Sequence, residues 1–72
     1  MSDSQNERLL SYLKVHKSID PLRAWEILGI YRLASRVNEL RELGENIKTS
    51  LLTVHNRLGE EIRVALYTYE GE

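Results

Sequence analysis

The apolar period of this chain changes once, at Gly44, and that change limits the folds open to it. Before it, apolar residues recur three and four apart: Leu9, Leu10 and Leu13, then Ala24, Trp25 and Leu28, then Ile30, Leu33, Val37 and Leu40. After it, residues 47–54 and 62–69 are runs rich in β-branched and aromatic side chains, separated by Asn56-Arg57-Leu58-Gly59-Glu60. The first pattern buries one stripe of a helix, and two runs of the second kind around a Gly-containing loop form a hairpin. The expected fold class is α+β, three helices followed by a two-stranded β-hairpin. An isolated hairpin is marginal in water, so this one must pack on the helices.

Local signals set the boundaries. Ser4 and Glu7 have the spacing of a capping box, and the first helix is expected over about residues 5–17. Asp20-Pro21 reads as an N-cap followed by a proline in the first helical position. The short second helix then carries Ala24, Trp25 and Leu28 on one stripe, with Trp25 in the core, and stops at Gly29. A third helix is expected over residues 31–43, closed by Gly44. With Val37 at the centre of its apolar face, Ile30, Leu33, Ala34 and Leu40 fall within about 60°. Arg41 lies nearby, so its stem packs while its charge reaches water. The whole chain, 1–72, reads as one domain with an ordered core over about 5–69 and polar ends at 1–3 and 70–72.

Composition narrows the function. The formal net charge is −1, which excludes a generally basic nucleic-acid coat but not a locally basic face. The chain has no Cys, and its two histidines, His16 and His55, fall on different elements, so thiol chemistry and metal-ligand spacing are both missing. It shows no nucleophile elbow and no phosphate-cradling glycine loop. A non-enzyme without cofactors is expected. The polar start Met1–Glu7 is unlike a secretory signal, and no apolar run reaches membrane-span length, which points to the cytoplasm.

The informative stretch is residues 24–40. A short helix ends at Leu28-Gly29, Ile30 plugs the corner, and a longer helix leaves from it, which is a helix-turn-helix. Such a unit presents the N-terminal half of its second helix to a B-DNA major groove about 12 Å wide. That half carries Tyr31, Arg32, Ser35, Arg36 and Glu39, with Asn38 on the shoulder beside Tyr31. Arginine pairs bidentately with guanine, and Ser or Tyr hydroxyls suit phosphates.

Over residues 5–69 the chain resembles the winged helix-turn-helix superfamily, and in particular the small helix-turn-helix proteins of phages and prophages. Leu9-Leu10-x-x-Leu13, Ser18-Ile19-Asp20-Pro21-Leu22-Arg23-Ala24 and Leu28-Gly29-Ile30-x-Arg32-Leu33-Ala34-Ser35-Arg36-Val37-x-x-Leu40-Arg41-x-x-Gly44 carry the resemblance. It implies a double-stranded DNA-binding transcriptional regulator of bacterial or phage-infected cytoplasm, with the hairpin as its wing. Asn56 and Arg57 then sit at the wing tip beside the duplex, and Lys48 and Arg63 on its strands. Tyr31 stands where many such helices begin with Ser or Thr, so the first turn either lacks a side-chain cap or leaves Tyr31 to reach a phosphate.

Each of these residues also has a plainer role. Arg32 and Arg36 could be solvated or paired with Glu39, and Glu39 is more often a solvated helix-face residue than a cytosine acceptor. The hairpin has Ile62, Val64 and Leu66 on one face and Ala65, Tyr67 and Tyr69 on the other. Only one face can cover the helices, and the second is expected to join two copies into a homodimer. The alternative is a winged protein–protein interaction module, an adaptor or inhibitor that binds no DNA, since acids outnumber bases only after residue 45.

Overall fold

The computed structural model describes residues 2–71, with side chains described over 5–71. Helix α1 spans Ser2–His16 and buries Leu9 and Leu13 completely. The Ser4 side chain, half of the expected capping box, lies outside the described residues. Lys17 ends the helix in a left-handed conformation, φ 76°, and its N–H reaches the Leu13 carbonyl at 2.8 Å.

The next segment corrects an expectation. Residues 18–19, read as a break between helices, form strand β1 (Ser18–Ile19), so the sheet has three strands rather than the two of a simple hairpin. Two residues carry no readable period. What makes them a strand is tertiary: Tyr69 donates its N–H to the Lys17 carbonyl at 2.7 Å, and the Ile19 side chain is buried.

Asp20 caps the following helix as expected, its Oδ1 accepting from the Arg23 N–H at 2.8 Å, with Pro21 in the first position. Helix α2 opens over Pro21–Arg23 and continues as a π-type turn over Ala24–Leu28. The wider turn carries Trp25 away from the Ala24–Leu28 line. Ala24 is fully buried, whereas Trp25, expected in the core, is 56% exposed. Gly29 closes the turn at φ 69°, where a Cβ would be strained, and Ile30 donates to the Ala24 carbonyl at 3.0 Å while its side chain fills the corner.

Helix α3 spans Leu33–Glu42, two residues later at its start than the sequence implied. It buries Leu33, Val37 and Leu40. Ala34, expected to face inward, is exposed, because the buried stripe runs along 33, 37 and 40 and turns position 34 toward solvent. Gly44, at φ 99°, ends the helix as expected, and Glu45 donates to the Leu40 carbonyl at 3.0 Å.

Strands β2 (Ile47–His55) and β3 (Glu61–Tyr69) pair antiparallel, from Ile47 opposite Tyr69 to His55 opposite Glu61. The strand order is β1-β3-β2, so β3 is central. Register puts Ile47, Thr49, Leu51, Thr53 and His55 on one face with Arg63, Ala65, Tyr67 and Tyr69. The proximal part of that face covers the helices: Ile47, Tyr67 and Tyr69 join Leu9, Leu13, Ile19, Ala24, Ile30, Leu33, Val37 and Leu40 in one core. The other face carries Leu52, Val54, Ile62, Val64 and Leu66, away from that core. The far half of the hairpin therefore projects beyond the helices and accounts for the 38 Å long axis of the molecule.

Candidate nucleic-acid interface

The corner between α2 and α3 sets out the first group of expected site residues. Tyr31 lies in the bend before α3, 82% exposed, and packs edge-on against Trp25 with ring centroids 5.8 Å apart. Arg32 occupies the cap position with φ −108° and ψ 70°, and no side chain caps the helix. Without a cap, the leading N–H groups of α3 stay open to an acceptor from outside. Arg32 is exposed, Ser35 is half-buried, and Asn38 is exposed on the same helix, its Oδ1 accepting a long contact from Arg41 at 3.5 Å.

Arg36 and Glu39 sit differently from the sequence expectation. Both turn toward α1 rather than the open face. Glu39 accepts from Asn6 of α1 at 2.9 Å and from Arg36 at 3.1 Å, one bond on each carboxylate oxygen. The Arg36 side chain is only 18% exposed, and its Nε is buried without a partner. An arginine held this way has no free fork to offer a base. The plainer role weighed for this pair, an ion pair along the helix, is the one its geometry fits.

The wing tip divides its two expected contacts in the same manner. Asn56 builds the turn: its Oδ1 accepts from the Leu58 N–H at 2.9 Å and the Glu60 N–H at 3.0 Å, and its Nδ2 donates to Glu60 at 2.9 Å. That pattern explains an Asn at this position, since its side chain imitates a backbone turn. Arg57 stands exposed at the tip beside Leu58, while Lys48 and Arg63 are exposed on the strands.

Two anchors were not legible in sequence. Arg41 donates through Nε to the Ile47 carbonyl at 2.9 Å and through Nη2 to the Thr49 hydroxyl, fastening α3 to β2. Arg8 of α1 donates to the Leu28 carbonyl at 3.2 Å, meeting an open acceptor at the end of the π-type turn. Arg41 was expected to pack and to snorkel, but its acceptors lie six and eight residues on, a spacing no helical pattern reveals. The two histidines lie apart, His16 stacked on Tyr12 with centroids 4.3 Å apart and His55 at the far end of β2. Among the described residues, no group of three metal-ligating side chains comes together, and no helix is long and apolar enough to cross a membrane.

The architecture is a helix-turn-helix followed by a β-hairpin, and a family model described as a winged helix-turn-helix domain matches residues 4–69. The chain belongs to the winged helix-turn-helix domain family. No curated protein and no solved structure matches it. In this winged helix α3 is the second helix of the helix-turn-helix and β2–β3 the wing. The fold is typical of non-enzymatic DNA-binding domains, and membership suggests a DNA partner.

Proposed function

We propose that this winged helix is a sequence-specific double-stranded DNA-binding protein, a small cytoplasmic transcriptional regulator that works as a pair of copies joined through the hairpin strands. The start of α3 enters the major groove, and loop 55–61 flanks the duplex. Tyr31, Arg32, Ser35 and Asn38 are the reading and phosphate-contacting groups on the helix, and Arg57 is the contact on the wing. Arg36, Glu39 and Asn56 hold those groups in place rather than touching DNA. The observation that carries this reading is the exposed, uncapped start of α3 with Arg32 in the cap position. Open N–H groups and a guanidinium at one helix end suit a phosphate or a guanine edge.

The near-neutral charge gives the reading its character. Few phosphates can be neutralised, so binding has a shallow salt dependence and relies on base contacts. Selection of bound sites from random duplexes, followed by a salt series on the selected duplex, tests it. Arg32→Ala should weaken binding about tenfold or more, on the scale of one lost bidentate base contact. Arg57→Ala should weaken it less and flatten the salt slope by roughly one unit or less. No retention of wild type on any duplex at low salt would overturn the reading in favour of a protein-binding module.

A further inference from the structure

Strand β2 is an edge of the sheet, and its register shows which of its main-chain groups are already used. Asn56 donates to the Glu60 carbonyl at 3.1 Å and Glu70 to the Asn46 carbonyl at 2.8 Å. Both pairs continue the series that sets Ile47 opposite Tyr69 and His55 opposite Glu61. Hydrogen-bonded pairs alternate along an antiparallel ladder, so the even-numbered residues of β2 bond to β3. The odd-numbered residues turn their N–H and C=O groups to the open side. Arg41 agrees with that phase, since the carbonyl it reaches is that of Ile47. Thr49, Leu51, Thr53 and His55 are left with outward-facing donors and acceptors along about 20 Å of strand.

Arg41 covers the Ile47 end of this edge, and no charge or proline guards the rest of it. Residues 49–54, Thr-Ser-Leu-Leu-Thr-Val, contain no charge and no Pro, and the pairing with β3 runs through them without a bulge. Leu51 is 67% exposed on one face, and Val54 and Ile62 are exposed on the other. On the opposite side the two-residue β1 covers only Tyr67 and Thr68, and the rest of that edge is β3, which carries Glu61 and Arg63.

We propose that β2 pairs antiparallel with β2 of a second copy of this chain, about a two-fold axis perpendicular to the sheet and centred on Leu52. Such an axis keeps each face on its own side, so paired residue numbers share parity and the four open positions bond to one another. Thr49 lies opposite His55 and Leu51 opposite Thr53, with about eight main-chain hydrogen bonds in all. Centring one residue earlier, on Leu51, would set His55 against Ile47 and displace Arg41. The Leu52 register also brings Lys48 opposite Asn56, whose amide holds the Glu60 carboxylate, so each end of the ladder gains opposite charges. On the far side β1 covers only Tyr67 and Thr68 of β3. The uncovered stretch carries the charges of Glu61 and Arg63, which oppose a further ladder, so association stops at two copies. The strip is small against the roughly 800 Å² per partner of a standard stable interface, so the pair forms in the high-micromolar range. This inference rests only on the pairing of copies in the reading above, and it is tested without DNA, so its failure leaves DNA binding standing and the reverse also holds.

The chain has no Cys, so one introduced thiol reports the geometry cleanly. Leu52 faces its own copy in a non-hydrogen-bonded pair, with Cα atoms about 4.5 Å apart, within disulfide reach. Oxidised at high-micromolar concentration, Leu52→Cys should crosslink to a dimer at least tenfold faster than Thr53→Cys. Thr53→Pro removes an outward N–H and leaves the β2–β3 ladder intact. It should keep its circular dichroism and weaken self-association in sedimentation equilibrium at least tenfold. A wild type that stays monomeric to millimolar concentration, open-ended oligomers, or equal crosslinking at positions 52 and 53 would each overturn the proposal. If Thr53→Pro does not fold, the crosslinking ratio decides alone.

Discussion

Arg41 on α3 donates its Nε to the carbonyl of Ile47, the first residue of the wing, at 2.9 Å. Helix and wing are separate elements joined by a short loop, and the guanidinium sets the angle between them. It does so with the side chain next in space to the exposed Asn38. The group that fixes the wing is thereby one neighbour away from the proposed reading face.

Replacing Arg41 by Met keeps the packed stem and removes the bonds. A charged donor on a part-buried carbonyl contributes about 1–2 kcal/mol, and Arg41→Met should lower stability by that amount in urea denaturation. Amide exchange at Lys48, Ser50 and Leu52, whose N–H groups bond to β3, should rise more than exchange in α1. Uniform exchange with unchanged stability would show that the tie is idle.

Glu39 joins α3 to α1 by accepting from both Asn6 and Arg36. Its removal strands a mostly buried guanidinium whose Nε already lacks a partner. Glu39→Ala should therefore cost about 1–3 kcal/mol, whereas Arg36→Met, which removes the charge itself, should cost less than about 1 kcal/mol. Denaturation of the two variants checks the order, and the reverse order would contradict the assigned geometry.

Lys17 holds φ 76° at the end of α1, a position where glycine carries no Cβ penalty. Its N–H and carbonyl are both bonded through the main chain, so substitution leaves those bonds in place. Lys17→Gly should raise stability by about 0.5–1 kcal/mol. A loss measured by thermal or urea unfolding would mean that the lysine side chain contributes more than its backbone costs.

Trp25 is the sole tryptophan, and it lies at the surface against Tyr31. Its emission should be red-shifted in the folded protein and readily quenched by acrylamide. Tyr31→Ala should increase the quenching rate. A blue-shifted, protected emission would place Trp25 back in the core.

Much of the fold was legible because it is written in local chemistry. Asp20-Pro21 caps a helix with its own side chain, Gly29 and Gly44 supply left-handed ends, and Gly59 supplies a left-handed residue at the wing tip. The period change at Gly44 separates helix from strand because burial periods are properties of the backbone. On the candidate site, the exposure of Tyr31, Arg32, Asn38 and Arg57 followed from the same reasoning.

The rest depended on contacts between residues far apart in the chain. Arg36 and Arg32 read alike in sequence, and only the approach of Asn6 on α1 turns Arg36 inward with Glu39. Trp25 matched a core stripe until the π-type turn changed the angular step. Residues 18–19 became a strand because the end of β3 lay beside them. The sequence by itself determined the elements, their ends and the class of fold, since caps, glycine corners and apolar periods act within a few residues. The tertiary structure alone decided which cations remain free and which edge of the sheet stays open, because a charge or a main-chain group is free only when nothing packed beside it supplies a partner.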